Sequence, residues 1–206
     1  MNFQDLFFIL ILISFLLVSI IKAVYWKHAR LLYMGVIAQR YSNQYLREEN
    51  AFVYRLDLIT FLLMIINFVL IIVKIETPKS FSTVLIIFTV LVSYYILKHI
   101  IIALLGQLFK QKDLAKLTVF FSLLFDKTYG FIITPLVLIS HFCIFEISEP
   151  ILILMLAIFI LFFLLKLFWF FKLGRSSFGL SSFYIFLYLC IIEISPVLLL
   201  IKAFFY

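Results

Sequence analysis

Unbroken apolar runs separated by short polar intervals set the pattern of this chain. Each run approaches the roughly 20 residues an α-helix needs to cross a bilayer. A transmembrane barrel would instead alternate apolar and polar residues with period two. The fold class read from this pattern is all-α: a polytopic integral membrane protein with six transmembrane helices plus one or two interfacial amphipathic helices. The spans fall at about 6–25, 53–73, 81–101, 131–145, 151–171 and 180–204, in a single transmembrane domain over 1–206. Asn2, Gln4 and Asp5 supply no basic region ahead of the first run, so that run is expected to be an uncleaved helix.

The intervals carry the rest of the pattern. The longest, about 29–52, interleaves Arg40, Arg47, Glu48 and Glu49 with Tyr33, Tyr41 and Tyr45. It holds too few apolar residues for a core and reads as an amphipathic segment lying on headgroups. In 113–127, Leu114, Leu117, Phe120, Phe121, Leu124 and Phe125 gather on one helical side, with Thr118, Ser122 and Asp126 on the other. This predicts an interfacial helix and then a break at Tyr129-Gly130. The competing reading, one long tilted helix from Leu117, places Asp126 and Lys127 well inside the membrane. Glu146, Ser148, Glu149 and Pro150 predict a turn, and Gly174-Arg175-Ser176-Ser177 a tight link.

Composition agrees with the pattern. Of the 206 residues 67% are hydrophobic and 13% charged, whereas soluble domains run near half apolar and a quarter charged. The 27 Phe therefore need lipid as their solvent. In this setting a net charge of +7 points to anionic headgroups rather than to nucleic acid. Cys143 and Cys190 lie in separate runs and form neither a metal-ligand spacing nor a disulfide framework.

Charge asymmetry orients the helices. The intervals joining spans one to two, three to four and five to six hold all but three of the 17 basic residues, leaving Lys74, Lys79 and Lys202 for the other side. The positive-inside rule then puts those intervals in the cytoplasm and both termini in the periplasm. Trp26 and Trp169 fall on the same collar, with Arg55, Asp57, Asp126 and Lys127 as its charged cluster.

Candidate chemistry is sparse. Glu193 stands roughly 18 Å into the sixth span, where an ionisable group costs at least about 2.5 kcal/mol on insertion scales. Pro196 lacks the N–H that would bond the carbonyl of Ile192, favouring a kink beside the carboxylate. Glu193 reads as a proton or cation site or a partner contact. The plainer alternative is a protonated carboxyl, or one paired with Lys98, Lys127 or a Tyr, that fixes packing. Lys98-His99, near the end of the third span, is the next candidate for an intramembrane polar site or partner contact; the plainer alternative is a snorkelled Lys98 and a capped interfacial His99. His28, His99 and His141 offer no depth-matched pair for haem. No zinc-protease, nucleophile-elbow or phosphate-loop motif is present, so no enzyme activity, metal or cofactor is expected.

Phe183-Tyr184-x-x-Leu187-Tyr188-Leu189-Cys190-x-x-Glu193-Ile194-x-Pro196, followed by Lys202, resembles the closing signature of an uncharacterised inner-membrane family of the Bacteroidota, catalogued only as a domain of unknown function. The resemblance covers most of the chain, with its specific positions in the last span. It implies a bacterial inner membrane and a family-wide role for Tyr184, Tyr188, Glu193 and Pro196, but no activity or cofactor. The function expected is a non-enzymatic membrane subunit that docks with partner proteins of a cell-envelope assembly, for example secretion or gliding machinery. The alternative is a proton- or ion-coupled carrier using Glu193.

Overall fold

The structure is a computed structural model that describes residues 3–48, 51–76, 81–108, 112–142, 145–178, 193 and 195. All regular structure among the described residues is helical: α1 Phe3–Val24, α2 Trp26–Met34, α3 Gln39–Arg47, α4 Ala51–Glu76, α5 Phe81–Leu108, α6 Lys112–Phe142 and α7 Phe145–Phe178. Five stretches, Leu6–Val24, Ala51–Ile75, Phe81–Leu104, Lys116–Phe142 and Glu149–Lys172, are long and apolar enough to cross a membrane, as a multi-pass membrane protein requires. The expected sixth span lies outside the described residues apart from Glu193 and Ser195.

The chain divides into two compact units, Met1–Ile96 with Leu123–Ile160, and Leu97–Ser122 with Leu161–Tyr206. In the first, α1 packs along α4, while α2 and α3 form a short hairpin whose first helix touches α1 and α4. Ala29 and Leu32 of α2 and Ser42 and Tyr45 of α3 are buried, and Ser42 donates to the Gly35 carbonyl at 2.9 Å, pinning the turn. The interval read as one interfacial segment is thus two short helices.

The break expected at Tyr129-Gly130 does not occur, because α6 runs through it as one helix. Gly130 serves a close crossing instead: a Cβ there would lie 2.8 Å from the Met64 Cα of α4. Asp126 and Lys127, whose burial cost argued for the break, have partners. The Tyr95 hydroxyl donates to Asp126 at 3.3 Å, and Lys127 meets Asp57 at 2.8 Å.

Two further turns are also helical. α7 begins at Phe145 and contains Pro150 in its second turn, where the ring forgoes one helical bond, to the Glu146 carbonyl, without ending the helix. It continues past Gly174 to Phe178; a single glycine costs about 1 kcal/mol, too little to stop so long a helix.

A buried polar node holds the centre of the first unit. Ser14 donates to the Asn67 side-chain carbonyl at 3.1 Å. The Asn67 amide donates to the Gly130 carbonyl at 2.8 Å and to Thr134 Oγ1 at 2.9 Å. One side chain thereby links α1, α4 and α6.

Candidate intramembrane charge cluster

In the second unit, helical periodicity turns three polar side chains inward. Lys98 shares its face of α5 with buried Ile102, and Ser122 follows buried Phe121 on α6. Lys166 lies one turn before buried Trp169 and Phe170 on α7. Trp169 stacks on Phe121 with ring centroids 6.0 Å apart, joining α6 to α7 by an apolar contact.

All three polar groups converge on Glu193. Lys98 Nζ lies 2.8 Å and Lys166 Nζ 2.9 Å from the same oxygen, Oε2. The Ser122 hydroxyl donates to Oε1 at 3.0 Å. Side-chain exposure is 5% for Lys98, 3% for Lys166 and 2% for Glu193, so these charges are held away from solvent. Taking ions out of water costs several kcal/mol apiece, which close pairing and added hydrogen bonds offset. Two ammonium groups and a hydroxyl meet the carboxylate, which therefore joins α5, α6 and α7 to position 193.

Lys98 and Glu193, both singled out by sequence, come together here. Lys127, the other cation considered for Glu193, pairs with Asp57 in the first unit. His99 is exposed and takes no part in the cluster. Tyr184, Tyr188 and Pro196 lie outside the described residues. Sequence reasoning passed over Lys166 and Ser122 as cluster members. Lys166 carried a weaker signal than Glu193, an ionisable group toward the end of an apolar run rather than midway along it.

The residues read as an interfacial collar have separate local settings. Asp57 accepts from both Lys127 and the Tyr45 hydroxyl, the latter at 3.1 Å. Burial, and then the adjacent Asp57 carboxylate, push the Tyr45 phenol above its ordinary range, so it remains a protonated donor. Burial alone does the same to Tyr33. Arg55 is exposed, and Trp26 lies under Lys22 with the ammonium 5.9 Å from its ring. Trp169 is buried, with Lys172 at 5.2 Å over its ring. No group of three or more metal-ligating side chains occurs among the described residues.

A family profile described as Domain of unknown function (DUF4271) matches residues 7–204, so the chain belongs to that family. No curated protein and no solved structure matches it.

Proposed function

With family membership carrying no activity, we propose from the site that this chain is a non-enzymatic subunit of a bacterial inner membrane, docking with partner proteins of a cell-envelope assembly. The taxon we infer is the Bacteroidota, with both termini periplasmic and the basic intervals cytoplasmic; secretion or gliding machinery is the kind of assembly meant. One observation carries the reading. Both oxygens of Glu193, the most deeply buried carboxylate among the described residues, are taken up by Lys98, Lys166 and Ser122, an arrangement that suits helix packing better than turnover. Broad apolar faces support it, including exposed Leu154, Leu161, Leu164 and Phe168 on α7.

Mild-detergent purification after in-membrane cross-linking tests the proposal. Stoichiometric partners are expected, and a lone monodisperse chain overturns it. Reporter fusions within 29–52 test the orientation: a periplasmic signal there reverses it.

A second reading, an ion-coupled carrier working through Glu193, draws support from three ionisable side chains buried together in an apolar interior. In reconstituted vesicles it requires proton or ion flux that Glu193→Gln abolishes, and flux indifferent to that change removes it.

A further inference from the structure

The α2–α3 hairpin and the start of α4 carry a surface that helix packing does not use. Between Lys22 and Arg55 the chain has six cationic side chains against the two carboxylates of Glu48 and Glu49. Glu48 is tied to His28 at 2.9 Å. Lys27 and Arg30 are exposed on α2 while Ala29 and Leu32 are buried. On α3, Arg40, Asn43, Gln44 and Arg47 form one exposed stripe at helical spacing, opposite buried Ser42 and Tyr45. Arg55 is exposed one turn into α4. Among the described residues, none of Lys27, Arg30, Arg40, Arg47 and Arg55 meets a carboxylate.

Large apolar and aromatic side chains are exposed beside these cations. Ile37, in the turn between the two helices, is 76% exposed, and Tyr54, at the start of α4, is 71% exposed. Trp26 and Phe52 are exposed as well. Apolar tips beside guanidinium groups that meet no carboxylate among the described residues match a surface whose phosphates lie a few ångströms above acyl chains. The platform is held in place by the Ser42 bond to Gly35 and by Phe52 stacked on His28 at 6.4 Å.

We propose that this platform is a binding seat for anionic phospholipid headgroups, with Lys27, Arg30, Arg40, Arg47 and Arg55 holding the phosphates and Ile37 and Tyr54 entering the acyl boundary. The seat is independent of the docking function proposed above, since a chain that purifies without protein partners still has it.

Native mass spectrometry of the full chain in detergent tests the seat with phosphatidylglycerol and phosphatidylcholine of matched acyl chains. Phosphatidylglycerol is expected to be retained preferentially, and rising salt should erase the preference. Arg40→Gln with Arg47→Gln should lower its retention about fivefold per charge removed, whereas Arg40→Lys with Arg47→Lys should keep most of it. Equal retention of the two lipids overturns the seat. So does a glutamine pair that behaves as wild type, or a loss that the lysine pair does not restore. A photoreactive side chain at Ile37 that captures protein instead of lipid in intact membranes also overturns it.

Discussion

The Asn67 node and the Glu193 cluster satisfy buried polar groups by different physics. Around Asn67 every participant is neutral: a serine, an amide, a threonine and a backbone carbonyl. The carbonyl is reachable because Gly130 lets α4 approach α6 closely. Around Glu193 the same kind of convergence uses full charges, with Lys98 and Lys166 on one oxygen. A neutral node is held by shape, since each bond contributes about 1 kcal/mol and depends on how close the backbones come. An ionic cluster is held by charge balance, and removing one member leaves the others buried without compensation. The neutral node should therefore be sensitive to volume and tolerant of charge-neutral polar exchange. The ionic cluster should be sensitive to charge at constant volume.

Glu193→Gln gives the largest expected effect. It keeps the shape and removes the charge, leaving two ammonium groups around a neutral amide. A loss of about 3–5 kcal/mol is expected, read from the unfolding midpoint in mixed detergent micelles. Replacing all three ions together (Lys98→Met, Lys166→Met and Glu193→Met) should recover most of that loss, because apolar side chains of similar volume often substitute for a buried ionic group without penalty. If Glu193→Gln is as stable as wild type, charge balance is not what holds the cluster.

Gly130→Val probes the other side of the comparison and comes next. Even a Cβ meets the Met64 backbone at 2.8 Å, so a branched side chain has to push α4 and α6 apart and stretch the Asn67 bonds. Overpacking of this kind costs about 3 kcal/mol. The same unfolding assay reads it, and a Gly130→Val chain with an unchanged midpoint would show that the crossing has room to relax.

Helix identity and four of the five candidate spans were legible in the sequence because apolar runs of membrane length leave few alternatives; the fourth was expected at 131–145 and is Lys116–Phe142. The continuity of α6 was not. Asp126 and Lys127 displayed their cost locally, whereas Tyr95 and Asp57, which meet that cost, lie far away along the chain. Gly130 looks like a helix breaker in sequence, which shows the flexibility of glycine and not the neighbouring helix that needs its missing side chain. Glu193 and Lys98 stood out as ions in apolar surroundings. Lys166 escaped because it lies near the end of its run, where a lysine is ordinarily expected to snorkel. Asn67 and Ser14 gave no signal, since single uncharged polar residues are common in spans and their partners are set by tertiary packing.

The finest test of the comparison sets two serines against each other. Ser14 donates to a neutral amide oxygen and Ser122 to a carboxylate oxygen, at 3.1 and 3.0 Å. Both are buried, at 1% exposure, so Ser14→Ala and Ser122→Ala remove the same atom from similarly dry surroundings. A hydrogen bond to a charged acceptor is worth more than one to a neutral acceptor. Ser122→Ala should therefore destabilise more than Ser14→Ala, by about 1 kcal/mol. Thermal midpoints measured side by side in one detergent decide it. Equal losses would mean that the two lysines leave little charge on the Glu193 carboxylate for the hydroxyl to meet, and the cluster would then behave as a second neutral node.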